Sequence, residues 1–322
     1  MSLLHVNARH LGLIGRNAAY HTVRGGAGIM FLLMALVFGL FVAQIILTPV
    51  EMMMSSAARE GHPLPTEEVL SQIINIARPI VRWMVGGKLD LQPPSVEDLA
   101  KAATSRTNPA QTPLDRWAAF LLDDRPALMS AILLILMFGV PLLVPVLAFN
   151  QTSGDIQSRG LRYLLLRTER ANIFFGRFLG TVVFSIAVLG FIVAIITSYL
   201  NWRLRIYHSG PLWGWSFHGF LALVLTAVPY IALCASISAS VSSPFLSLIT
   251  SSLIIGGVPL FAWLGALKWN AVGLVKLLTP WGVQQHLLHP EASHVAGAAV
   301  LCIVYTAVYL LIGRRYFERR DL

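Results

Sequence analysis

Residues 25–50 read GGAGIMFLLMALVFGLFVAQIILTPV, an apolar run without a single formal charge. A helix needs about 20 such residues to cross the hydrocarbon core of a bilayer, and this run is long enough. Pro126–Gly154 and Phe178–Trp202 are further runs of the same kind. Ile206–Leu267 carries no formal charge over 62 residues, which is room for two spans. The turn signal Ser240-Val241-Ser242-Ser243-Pro244 divides it. Ala292–Gly313 is the last run. The sequence therefore predicts an all-α polytopic membrane protein with six transmembrane helices, at 25–50, 126–149, 176–202, 217–239, 245–267 and 294–313. The first is expected to be an uncleaved anchor. Its apolar region exceeds that of a signal peptide, and no small-residue cleavage site follows.

Composition leads to the same class. Of 322 residues, 56% are apolar and only 12% are charged, and the mean hydropathy is +0.69. A soluble domain carries roughly 25% charged residues to cover its surface. A soluble enzyme, a secreted disulfide scaffold and a disordered chain are excluded on this ground. The net charge of +9 is no nucleic-acid signal, because no basic run interleaves with aromatics. Cys234 and Cys302 lie inside apolar stretches, where cysteine behaves as a small hydrophobe.

Six spans place both termini on one side. Arg9, Arg16 and Arg24, then Arg159, Arg162, Arg167, Arg170 and Arg177, then Arg314, Arg315, Arg319 and Arg320 put twelve basic residues on one face. The short loops of the other face carry Arg203, Arg205, Lys268 and Lys276. This bias predicts cytoplasmic termini in a cell inner (plasma) membrane. Trp202, Trp213, Trp215, Trp269 and Trp281 fall near the outer ends of spans, where indoles favour the headgroup level.

Between the spans, loop 51–125 holds ten of the fifteen acids. Thr66, Glu67 and Glu68 read as a helix start, followed by an apolar stripe through Val69, Leu70, Ile73, Ile74, Ala77, Ile80 and Val81. Ser95 and Asp98 resemble a capping box before Leu99, and Thr112-Pro113 an N-cap before Trp117 and Leu121. The expectation is a helical extracytoplasmic cap that packs on the bundle. Residues 1–24 mix Leu3, Leu4, Leu11, Leu13 and Ile14 with basic residues, as in an interfacial helix along the inner leaflet. Segment 268–293 is apolar but broken by Pro280 and Pro290, which predicts a short re-entrant or interfacial piece between the outer ends of two spans. Residues 203–216 form the other short outer loop, 240–244 an inner turn and 314–322 a cytoplasmic tail.

Chemistry is sparse. No Asp, Glu, Lys or Arg falls at mid-membrane depth, where ion-coupled carriers need one. Gly86-Gly87-Lys88-Leu89 lacks the glycine spacing and hydroxyl of a phosphate-cradling loop. No nucleophile elbow or zinc-protease His pair is present. The chain reads as no enzyme, with neither a catalytic residue nor a cofactor of its own. His286, His289 and His294 with Glu291 form one metal-like group, with His208 and His218 in reach of it. Because Pro290 interrupts any helical spacing, interfacial or packed histidines are the ordinary reading and a metal site the alternative. Gly176 and Gly180 present two glycines on one helix face, and Ala232, Ala235, Ser236 and Ala239 line the fourth span. Such positions let helices approach closely, within one bundle or between protomers.

The segment 150–175 opens on Asn150-Gln151-Thr152-Ser153-Gly154-Asp155 and runs through an apolar triplet flanked by arginines. It reads as a short amphipathic helix held at an anionic membrane surface, followed by a turn. Asp155, Gly160-Leu161, Leu164-Leu165, Arg170 and Gly176-Arg177 together resemble the pattern of the permease subunit of type-2 ATP-binding-cassette exporters. That family shows an acidic residue, Gly-Thr-Leu, Leu-Leu, a Pro-x-x-Arg turn and Gly-Lys entering the third span. This chain differs in having Arg162 after Gly-Leu, Thr168 in place of the proline, and Ser158-Arg159 where a Glu often stands. The six-span layout, the N-terminal interfacial helix and the broken segment before span six extend the likeness over most of the chain. The resemblance implies a permease that pairs with a second permease subunit, itself or a related chain, and docks on separate ABC ATPase subunits that bind ATP and Mg. It implies that the loop after span two is the coupling helix, with Asp155, Arg159, Arg162, Arg167, Glu169 and Arg170 as ATPase contacts. Its partners would be the lipid membrane, the ATPase and an envelope protein at the outer cap, with no nucleic acid. A membrane scaffold whose cap binds an envelope protein, and a metal-handling protein using His286, His289 and His294, are the readings from other classes.

Overall fold

The computed structural model describes residues 8–24, 26–59, 113–157, 168–203, 206–266 and 278–319, with 71, 74, 77, 78, 81, 84 and 275 between them. Among the described residues there are helices and turns and no strand. The helices are α1 (Ala8–Arg24), α2 (Gly26–Arg59), α3 (Pro113–Leu122), α4 (Ala127–Ala148), α5 (Ser153–Gln157), α6 (Arg170–Arg203) and α7 (Ser209–Ser240). They continue with α8 (Pro244–Ser252), α9 (Val258–Ala266) and α10 (Ala292–Arg319). Six stretches are long and apolar enough to cross a membrane: α2, α4 with α5, α6, α7, α8 running into α9, and α10. The protein is an all-α polytopic membrane protein.

Helix bounds overrun the apolar runs. Helix α6 starts at Arg170 rather than 176, and α7 starts at Ser209 rather than 217. Hydropathy marks only the part facing hydrocarbon, whereas backbone hydrogen bonding continues past it into the headgroup zone. At 1.5 Å per residue the 34 residues of α6 extend about 51 Å, well beyond the roughly 30 Å core.

Helix α7 is the most enclosed span, packed against α4, α6 and α10. The outward faces of α2 and α10 are lined with exposed Leu33, Val37, Phe41, Ile303, Val304 and Leu311, as befits surfaces solvated by lipid tails. Apolar side chains gain little from leaving lipid, so close contact between backbones must hold the helices together. Two such contacts stand out. A Cβ on Gly180 would sit 2.7 Å from the Gly15 carbonyl oxygen and 2.8 Å from Ala18 Cβ, and one on Gly176 would meet Ile14. The glycine pair thus seats α1 on the base of α6, inside one chain. A Cβ on Gly313 would meet the Ser236 backbone at 2.8 Å, so the small face of α7 receives α10.

The fifth span is interrupted. Leu253–Gly257 forms a π-turn between α8 and α9. Pro259 explains it: proline has no N–H, so the Ile255 carbonyl loses its donor four residues on. Trp281 supplies the replacement, its Nε1–H donating to the Ile255 oxygen at 2.8 Å. Trp281 belongs to a turn closed by Val283 N–H on the Pro280 oxygen, with Gly282 at φ +88°. That positive φ is what a type II turn requires at its third residue. Leu278 accepts from the Tyr309 hydroxyl at 2.7 Å, and Gln284 Oε1 from that of Tyr230 at 3.3 Å. Tyr309 lies 17 residues into α10 by residue number, about 25 Å from its start. The broken segment therefore dips deep between α4, α7 and α10 and climbs back through the 3-10 turn Gln284–Leu288.

In the outer loop, α3 starts at Pro113, and its Trp117 and Leu121 are buried in the common core. Val81 and Met84 are buried with them, and Ile74 and Ala77 pack alongside. The expected caps at Thr66 and Ser95–Asp98 lie outside the described residues, as do Val69, Leu70, Ile73 and Ile80.

Gly180→Ala is expected to lower the thermal midpoint in detergent, at a cost of about 1–3 kcal/mol for overpacking against backbone. Gly12→Ala, where no atom lies within 4 Å of the new methyl, should raise it by up to about 1 kcal/mol through helix propensity. A neutral Gly180→Ala would refute the α1–α6 contact.

Candidate functional site

Alternating spans bring the end of α4, the starts of α6 and α8 and the ends of α7 and α10 to one end of the bundle. Among the described residues this end carries Arg170, Arg177, Arg314, Arg315 and Arg319, and α5 is seated here. Thr152 and Ser153 backbone N–H groups both donate to Ser238 Oγ at 3.0 Å, and Thr152 Oγ1 lies 3.2 Å from the same atom. Ser238 is fully buried in the last turn of α7. Helix N-termini leave backbone N–H groups without partners, and here a neighbouring helix supplies the acceptor.

Asp155 pairs with Arg177, two turns into α6. Arg177 also donates to the Gln151 carbonyl oxygen. One guanidinium fork thus grips both ends of the Gln151–Asp155 turn, a task suited to its planar donors. The two side chains are 22% and 27% exposed, so the pair is only partly screened by solvent. Helix α5 is thereby fixed to α6 through Arg177 and to α7 through Ser238.

Of the sequence-derived coupling residues, Arg159, Arg162 and Arg167 lie outside the described residues. Glu169 is exposed at the start of α6, where its carbonyl accepts from Ile173 N–H. Arg170 is engaged within the chain: its Nη1 donates to the Glu318 carbonyl oxygen at 2.9 Å and lies 3.5 Å from that of Phe317. These belong to the last turn of α10, whose carbonyls lack helical donors and carry partial negative charge. The sequence places Arg177 in the basic bias and, with Gly176, at the entry to span three, but does not show its grip on Asp155. The signal was available, since Asp155 is the only acid between residues 126 and 168 and Arg177 sits inside an apolar helix start.

The opposite end has its own polar fastenings. Glu51 Oε1 accepts from the Tyr199 hydroxyl at 3.1 Å and from Arg203 Nε at 3.4 Å, joining α2 to α6. The Tyr207 hydroxyl lies 3.4 Å from the Leu128 amide nitrogen, which donates to it. Burial pushes the Tyr207 hydroxyl above the usual tyrosine range. Trp117 Nε1–H donates to the Leu288 oxygen at 3.1 Å, and His218 Nε2 contacts the Leu287 oxygen at 3.1 Å.

Next to them stand the loop histidines, brought together despite Pro290. His289 and His294 rings are 4.2 Å apart by centroids, and His286 is 6.1 and 6.2 Å from them. Trp117 stacks on His286 at 5.2 Å and sets its face to the edge of His289 at 4.7 Å. Burial lowers the His286 pKa, helped by the two neighbouring imidazoles; burial and His294 lower that of His289 against the raising effect of Glu291. His208 is exposed and His218 is occupied with Leu287, so neither completes the group.

Two of the expected belt indoles have partners inside the protein. Trp215 is 5% exposed and donates to Ser130 Oγ at 2.9 Å, and Trp281 is held in the dipping segment. An indole whose N–H finds a protein acceptor has no need of the headgroup layer. Trp202 is 76% exposed at the end of α6 and Trp213 is exposed near the start of α7, while Trp269 lies outside the described residues.

No family model and no curated protein matches the sequence.

Arg177→Ala is expected to destabilise the full chain by about 1–3 kcal/mol, between the values for exposed and buried ion pairs. Arg177→Lys should recover only part of the loss, since one ammonium cannot reproduce the fork. Denaturant midpoints of the two variants check this, and equal stability of all three proteins would contradict the assigned grip.

Proposed function

We propose that the chain is the membrane permease subunit of an ATP-driven type-2 ABC exporter, working with a second permease subunit and with separate ATPase subunits that carry ATP and Mg. The segment 150–175 is its coupling element. The supporting observation is the double anchoring of α5, by Arg177 to α6 and by Ser238 to α7. A load applied to this segment from the basic end reaches two spans through the Arg177–Asp155 ion pair and the hydrogen bonds to Gln151 and Ser238. Arg170, bonded to the end of α10, extends the load path to a third span. The sequence likeness of Asp155, Gly160-Leu161, Leu164-Leu165, Arg170 and Gly176-Arg177 to the family pattern points the same way, as does the lack of any nucleotide-binding motif in this chain. In this reading Arg159, Arg162, Arg167 and Glu169 face the ATPase, while Asp155 and Arg170 hold the element in place. The arginine-rich end is then cytoplasmic, in a plasma membrane.

Purification in mild detergent from the native membrane should yield the chain with a stoichiometric ATPase. The double reversal Arg162→Glu and Arg167→Glu should reduce the recovered ATPase about tenfold or more, the cost of like charges across a docking surface. The variant should still insert and elute as the parent does. A chain that purifies without nucleotide hydrolysis, also after cross-linking in the intact membrane, would overturn the reading in favour of a scaffold bound through its outer loop.

A further inference from the structure

We propose that His289, Glu291 and His294 bind a divalent transition-metal ion of the zinc class at the end of the bundle opposite the arginines. One donor atom from each lies within 4.8 Å of the other two. His294 Nε2 is 3.9 Å from Glu291 Oε2, and the two imidazoles nearly touch. A tetrahedral zinc with bonds of about 2.0–2.1 Å separates its donors by roughly 3.3 Å. The donors must therefore close by at most about 1.5 Å. His294 and Glu291 are 49% and 66% exposed, so their side chains can do so without disturbing the core.

The backbone that carries them is already fixed. The 3-10 turn Gln284–Leu288 delivers His289, whose N–H donates to the His286 oxygen at 3.2 Å. Trp117 and His218 hold the Leu288 and Leu287 carbonyls from two other helices. Pro290 turns the chain, and His294 closes the first turn of α10 on the Glu291 oxygen at 3.1 Å. Loop, turn and helix start thus converge on one point, which no helical spacing in the sequence would reveal.

The donor chemistry selects the ion. Two imidazoles and one carboxylate suit zinc, copper, iron or nickel and disfavour calcium and magnesium, which take oxygen ligands. Two imidazoles and a carboxylate with one position left open is also a familiar zinc set. His286 lies about 6 Å from both other rings by centroids. The Glu291 carboxylate offsets the partial positive charge of the α10 N-terminus, which a bare cation would oppose. Glu291 N–H donates to His289 Nδ1 at 3.1 Å, which ties these two residues together. The site stands whether or not the chain couples to an ATPase.

The test uses the full chain in mild detergent, without a histidine tag, stripped with a chelator and titrated with Zn2+ against a chromophoric competitor. One Zn2+ per chain is expected, with a rise in thermal midpoint on loading. His289→Ala and His294→Ala should each weaken binding at least tenfold, and Glu291→Gln should weaken it while leaving the apo thermal midpoint unchanged. His208→Ala, outside the group, should bind as the parent does. Failure of the parent to take up Zn2+ at stoichiometric concentrations, or undiminished uptake by the His289→Ala, His294→Ala double variant, would overturn the proposal.

Discussion

Hydrocarbon disfavours a backbone N–H or C=O without a partner, and this requirement shapes the break in the fifth span. Pro259 removes one donor from the fifth span, and the freed Ile255 carbonyl has to be met from elsewhere. The segment that meets it cannot remain at the surface. It has to descend until Trp281 reaches the carbonyl, and its own Leu278 oxygen and Gln284 amide are then received by Tyr309 and Tyr230. A single proline thus has a structural counterpart in an entire dipping turn.

The same requirement operates at the helix ends. Carbonyls in the last turn of α10 are met by Arg170, and the N–H groups opening α5 by Ser238. Between the ends, contact depends on small residues. Gly180 and Gly313 leave room where a methyl group would strike a neighbouring backbone, and they give α6 and α7 their partners α1 and α10. Ion pairs sit at both extremities, Arg177–Asp155 at one and Arg203–Glu51 at the other. They brace α6 near each end and leave its apolar middle free of charge.

How much of this was legible in the sequence depends on the range of the interaction. The spans were readable because hydrocarbon thickness acts on consecutive residues, and 25–50 or 206–267 cannot be read otherwise. The glycine pair Gly176 and Gly180 was legible as a contact face but not as to its occupant, because Gly15 is far away in the chain. The internal partners of Trp215 and Trp281 were not legible, since hydropathy does not say which indole has an acceptor inside the protein. The arginine bias hid the separate task of Arg177, because counting charges gives each the same weight. The histidine group is legible as a metal-like cluster but not in its geometry: Pro290 interrupts any helical spacing, and the chain turns at that same proline where the rings come together.

The bond between Trp281 and the Ile255 carbonyl also has a meaning in time. A chain is made and inserted from its N-terminus, so Ile255 leaves the ribosome ahead of Trp281. For that interval the Ile255 carbonyl lacks the indole N–H that it accepts in the folded protein. Insertion of the span and its sealing are therefore separate events, the second waiting on residues that lie beyond the span itself. The dipping turn closes a gap left open by the ribosome's order of work, and until it docks the growing bundle is a different, less complete object from the folded one.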